Sequence, residues 1–149
     1  MKNNEKFNLK LLARNQEDLR VISAYLQDSV VTIKDLVFLK KNRTFIMVVN
    51  RFMWEDAEKG VFRENKRIRC AVKFEEVLKV ESKNINQKNK NKPLECLAIE
   101  CKEIKDEGNK IKIFFAGGSI ITIITEIIDV TLHDLGNPWV VKHIPKHKF

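Results

Sequence analysis

The residues whose types invite chemistry cluster in one short phrase, Asn50-Arg51-Phe52-Met53-Trp54-Glu55, at the end of an expected strand. An amide, a guanidinium, an indole and a carboxylate at a strand-to-loop junction make Asn50, Arg51, Trp54 and Glu55 a candidate binding edge, because loops on a rigid scaffold are where function concentrates. The competing structural reading has Phe52 and Trp54 covering the end of the sheet while Arg51 pairs with Glu55 or Asp56, aromatic anchors being packed more often than exposed. A second cluster, Arg63, Lys66, Arg67 and Arg69, is a candidate nucleic-acid surface. Arg67 and Arg69 are two residues apart and so share one strand face; they would contact phosphates while the Trp54 ring stacks on bases. Its bland counterpart is a solvated face paired with Glu75, Glu76 or Glu81. The binding-edge reading predicts Arg51 and Trp54 accessible beside a groove, and the nucleic-acid reading predicts steep salt dependence.

Catalytic motifs do not emerge. Gly117-Gly118 lacks the spacing of a phosphate loop and precedes no expected helix, so it reads as a hairpin turn. No serine stands in a GxSxG context. Of the histidines His133, His143 and His147, the last two are four apart, but Ile144-Pro145 between them disfavours the helix that would bring them together. Cys70, Cys96 and Cys101 are odd in number and form no CxxC pair; five apart on a regular strand, Cys96 and Cys101 point to opposite faces. They read as small buried apolar groups in a reducing compartment. No catalytic residue, metal ligand or cofactor is therefore assigned. Gln27 with Asp28, and His133 with Asp134, are the remaining polar pairs worth following into the fold.

The elements that must position these residues follow from the apolar periods. Leu9 to Ala13 reads as a short strand, and Asn15 stands as a helix N-cap with Glu17 and Asp18 in the first turn. Leu19, Ile22 and Leu26 then recur at helical spacing, so a helix should run to near Asp28. From Ser29 the period becomes that of strands: Leu36 to Leu39, a turn at Lys40 to Arg43, and a return over Thr44 to Val49. Glu55 to Lys66 reads as a loop. Ile68, Cys70, Val72 and Phe74 alternate with a polar set, and the pattern breaks after Glu75-Glu76. Asn84 to Pro93 is a solvated, low-complexity connector. A meander follows through Leu94–Ile104, Lys110–Phe115, Ile120–Thr125 and Ile127–Leu135; Asn137-Pro138 should stop it, with Trp139 folded back on the core.

The fold class is thus α+β: mostly antiparallel sheet, as two sheets or one strongly curved one, with one N-terminal helix packed on it. A chain of 149 residues fits one domain, with an ordered core of about 9–141, a flexible N-terminus, the 84–93 loop and a basic tail. No signal peptide begins it, and its most apolar run, Ile120 to Ile128, is too short to span a bilayer, so the expectation is a soluble cytoplasmic protein with no membrane partner. The net charge of +8 would suit nucleic acid, but only seven of its 28 basic residues are arginine. Lysine rises together with asparagine and isoleucine, as an AT-rich genome would produce, and arginine is the better phosphate reader.

Taken together, Leu11-Leu12-Ala13-Arg14, Glu17-Asp18-Leu19, Val21 to Ala24 with Leu26-Gln27-Asp28, Asn50-Arg51-Phe52 with Trp54-Glu55, Phe115 to Gly118, and Asp134-Leu135-Gly136 with Trp139 resemble an uncharacterised alphaproteobacterial family, the domain of unknown function 2948 (DUF2948). The resemblance spans about residues 9 to 140. It implies a small cytoplasmic bacterial protein without assigned activity, so no functional residue is carried over. Lysine and asparagine here, where the family carries arginine, alanine and glycine, agree with the genome-bias account. The leading expectation is a non-enzymatic binding or accessory module that contacts a protein or small ligand; nucleic-acid binding and an enzyme with a site assembled from distant residues are the alternatives. An exposed sheet edge would allow an oligomer.

Overall fold

The computed structural model describes residues 9–57, 65–142, 144 and 145. Among the described residues, ten strands and one helix of more than a single turn carry the framework: β1 (Lys10–Ala13), α1 (Gln16–Leu26), β2 (Val30–Thr32), β3 (Leu36–Leu39), β4 (Thr44–Phe52), the single turn α2 (Trp54–Ala57), β5 (Lys66–Phe74), β6 (Val77–Lys83), β7 (Pro93–Ile104), β8 (Gly108–Phe115), β9 (Ile120–Thr125) and β10 (Val130–Val140). Every strand pairing among the described residues is antiparallel. The order is β1-β10-β5-β4-β2-β7-β8-β9-β6, with β3 added beside β4, and the sheet is not closed. The short β2 is the hinge of this order: Val30 pairs with Asn50 of β4 on one side and with Glu95 of β7 on the other.

Local chemistry accounts for where the elements start and stop. The Asn15 side chain accepts the Asp18 amide at 2.8 Å, so α1 begins with one of its orphan donors satisfied, which stabilises a helix by about 1 kcal/mol. Leu19, Ile22 and Leu26 are buried in the core, and the helix lies against β7, β1 and β4. The Ser23 hydroxyl accepts the Ile99 amide at 2.9 Å, tying helix to sheet. Beyond α1 the chain reverses at Asp28, whose backbone is left-handed (φ +64) and whose amide donates to the Cys96 carbonyl at 2.7 Å. Arg43 (φ +55) closes the β3–β4 turn, and Glu76 (φ +54) makes the break after β5. Gly117 and Gly118 turn β8 into β9 with φ +85 and +84, values a side chain rarely tolerates, as the hairpin reading required.

Two departures of the strand pattern from expectation lie at bulges. Asn137-Pro138 does not end the last strand: the register slips between Leu135 and Trp139, the slip accommodates the proline, and β10 resumes with Trp139 opposite Arg67. Trp139 is accordingly not folded onto the core but exposed. In β7 a bulge between Cys96 and Ala98 inserts an extra residue. Cys96 and Cys101 therefore face the same side, opposite the buried Phe115 and Ile111, where a regular strand would have separated them.

Candidate functional site

The strands β4, β5 and β10 position nearly all of the candidate residues, and register decides which side each faces. Val49, Cys70 and Asp134 lie in one inner row, and Arg51 and Ile68 lie in the next. Arg51 reaches diagonally across β5 toward Asp134, making a fork from Nε to Oδ1 and Nη2 to Oδ2, both at 2.8 Å. Glu55, one turn further along on α2, accepts from Nη1 at 3.0 Å and from Nη2 at 2.7 Å. Asp134 also accepts the Leu9 amide at 3.1 Å, so the same carboxylate fastens β10 to the segment before β1. Arg51 and Asp134 are fully buried. The guanidinium sits 5.5 Å from the centre of the Tyr25 ring on α1. Burial opposes its charge, but the hydrogen bonds it donates to Asp134 and Glu55 more than offset that and hold its pKa above the ordinary value.

The candidate edge is therefore rearranged. Arg51 is not at an accessible edge; it is an internal brace, and Glu55 is one of its two anchors. Asp134 was visible only as a neighbour of His133, and nothing in the spacing pairs it with a residue 83 positions away. Trp54 is half-buried, its Nε1 donating to the Gln27 carbonyl at 2.9 Å, and its ring meets Phe52 edge-on with centroids 4.5 Å apart. Asn50 lies on the opposite face from Arg51, half-buried, and its carbonyl accepts from Arg67.

Arg67 and Arg69 share the outer face of β5, as their spacing requires, and Ala71 and Lys73 continue it. Arg67 is half-buried: Nη1 donates to the carbonyls of Asp28 (3.2 Å) and Asn50 (3.0 Å), and its guanidinium lies 5.7 Å from the Phe52 ring centre. Burial lowers its pKa, and the Asp28 and Glu95 carboxylates act in the opposite direction. Arg69 is exposed and lies 3.7 Å from Asp35, while Lys73 lies 3.9 Å from Glu75; none of the other glutamates expected opposite this face reaches it among the described residues. Lys66 is half-buried beside Val140, and Arg63 lies outside the described residues, as do His143 and His147.

The outer face of β1, β10, β5, β4 and β3 can be read row by row. Leu12, Thr131, Lys73, Ile46 and Val37 form one row, and Lys10, His133, Ala71 and Val48 the next. Leu135, Arg69 and Asn50 follow, then Trp139, Arg67 and Phe52. Leu12, Val37, Leu39, Leu135 and Trp139 are between 37% and 48% exposed, far more than a covered sheet face allows. No carboxylate stands on these rows, against four cations, Lys10, Arg67, Arg69 and Lys73. The outer rows of β7, β8, β9 and β6 differ: Glu100, Lys112, Thr122 and Glu81 lie side by side, and Lys79 meets Glu81 at 3.2 Å. The parity of residues 67, 69, 71 and 73 was enough to place Lys73 with the arginines; Trp139 needed the bulge.

The thiols are quiet. Burial pushes Cys70 and Cys96 up to about 12, and Cys101, partly exposed, is also raised by burial. Among the described residues no helix is long and apolar enough to cross a membrane, and no three His, Cys, Asp or Glu side chains converge as metal ligands would.

These features define a small α+β protein with an internally braced sheet and, among the described residues, a partly exposed sheet face whose rows carry cations and no carboxylate. The chain belongs to the family of proteins of unknown function DUF2948, whose model matches residues 9–147. Among curated proteins, none matches the chain.

Proposed function

We propose that the protein is a single-domain, non-enzymatic accessory module of the bacterial cytoplasm that holds an acidic, amphipathic segment of a protein partner. The docking surface is the outer face of β1, β10, β5, β4 and β3, on a strongly curved sheet whose concave side is filled by α1. The observation that carries this reading is the composition of that face: exposed aliphatic side chains interleaved with cations and no carboxylate on its outward rows. Exposed apolar patches with polar surrounds mark protein contact surfaces, and the charge favours an acidic partner. Three free cysteines suit a reducing cytoplasm. Among the described residues the shifted ionisations belong to Arg51, Arg67 and the thiols, and burial has a part in each, which suits a binding module better than an enzyme.

Nucleic acid is the weaker occupant of the same face. Leu12, Val37, Leu39 and Leu135 offer bases no π surface, which leaves the Trp139 indole and the His133 imidazole as the exposed rings on these rows. Arg67 already donates to two backbone carbonyls. Affinity purification of the tagged protein from its native extract after nuclease treatment, run beside Arg69→Glu/Lys73→Glu and Leu135→Asp variants, tests the choice. The expected result is one acidic protein retained by the wild type and lost from both variants. Recovery of nucleic acid alone, or equal retention by all three, would overturn the reading.

A further inference from the structure

Between β3 and β6 the sheet leaves a slot. Both are outer strands: β3 pairs with β4 and β6 with β9, and no ladder joins them to each other among the described residues. Single backbone bonds pin the slot at either end. At one end the Val77 amide donates to the Arg43 carbonyl at 2.8 Å, supported by ion pairs from Arg43 to Glu76 and Glu126. At the other the Lys34 amide donates to the Lys90 carbonyl at 3.0 Å. The cavity behind it has a volume of about 460 Å³ and reaches the buried side chains Phe45 and Ile121.

The lining is graded along the slot. Phe38, Phe45 and Val80 line it towards the Arg43 end, and Leu36 and Ile121 lie further along. Ser82, Gln87, Lys34 and Lys90 gather at the other end, and the two lysines are exposed. No carboxylate is among the lining residues. An added peptide strand does not suit such a site, because the two end bonds bar an extended chain from running through. A volume of this size lies within the range of small-molecule sites and holds an acid of about ten carbons.

We propose that the slot between β3 and β6 binds a single-chain aliphatic anion, its tail on Phe38, Phe45 and Val80 and its head at Lys34 and Lys90. This site is separate from the outer-face docking surface and stands whether or not that reading holds.

The test is methyl and amide NMR on the full chain, titrated below micellar concentrations with decanoate, decyl phosphate and the neutral decanol. The expected result is saturable shifts centred on Leu36, Val80 and Ile121 with one or both anions, and at least tenfold weaker binding of decanol. The tighter anion identifies the head as carboxylate or phosphate. Lys34→Gln/Lys90→Gln should weaken the anion about tenfold and leave decanol unchanged; the substitutions spare the backbone bond between these residues, so folding is preserved. Absence of slot shifts with all three probes, shifts confined to other surfaces, or decanol binding as tightly as the anions would each overturn the proposal.

Discussion

On its inner side β5 presents Ile68, Cys70, Val72 and Phe74, all buried, and on its outer side Arg67, Arg69, Ala71 and Lys73, each at least partly accessible. The neighbouring strands repeat the division: Arg51 and Asp134 face inward, Asn50 and His133 outward. Charge occurs on both sides under opposite conditions. Inside, one cation is matched by two carboxylates within hydrogen-bond reach, and the arrangement exists to satisfy a charge removed from water. Outside, Arg67 is held by two backbone carbonyls, whereas Arg69 and Lys73 are exposed and meet a carboxylate only at 3.7 and 3.9 Å. A buried charge thus reports on architecture, and the exposed, unbalanced set is the one open to a partner.

The comparison can be broken most severely at the brace. Asp134→Ala should destabilise the fold by about 3–5 kcal/mol, because it leaves the buried Arg51 Nε without its acceptor and the guanidinium with Glu55 as its remaining counter-charge. The combination Arg51→Met with Asp134→Leu should cost clearly less than the sum of the two single changes. Urea unfolding of all four proteins measures this, and additive costs would show that the fork is not a coupled unit. Next in size, adjacent residues of β4 should behave differently. Met47→Ala on the buried side should cost about 2–5 kcal/mol, whereas Val48→Ala on the outer side should cost under about 1 kcal/mol.

The thiols sharpen the same contrast. Folded Cys70 and Cys96 stay neutral to about 12 while the unfolded thiols ionise near 9.0, so the unfolded state loses protons first and stability declines as pH rises through that window. At pH 8 a disulfide reagent should label Cys101 first and reach Cys70 and Cys96 at the unfolding rate. Fast labelling of all three would contradict the buried assignments. Smallest of all, Arg69→Glu with Lys73→Glu should shift stability within about 0.5 kcal/mol in a thermal or urea melt, although it abolishes the proposed docking.

Much of the framework was legible before any coordinates. Asn15 as a cap, Leu19, Ile22 and Leu26 as one helix face, the turn at Arg43, the break at Glu76 and the Gly117-Gly118 hairpin all follow from interactions within a few residues, where period and backbone preference act directly. Membership of DUF2948 was legible in short ordered phrases, and the match over residues 9–147 bears it out. Sequence position also placed Arg67 and Arg69 on one face, because a strand's alternation is set by covalent geometry. It could not say whether Arg51 faces solvent or core: that depends on Asp134, brought beside it by pairing with β5, and on the bulges that let β10 continue past Pro138 and return Cys101 to the side of Cys96. Ladders between distant segments decide burial, and burial decides whether an arginine is a brace or a contact. Local order was the sequence's to determine; the identity of the bare face and of the slot between β3 and β6 belonged to the tertiary structure alone, because each is made by strands that meet only when the whole sheet is assembled.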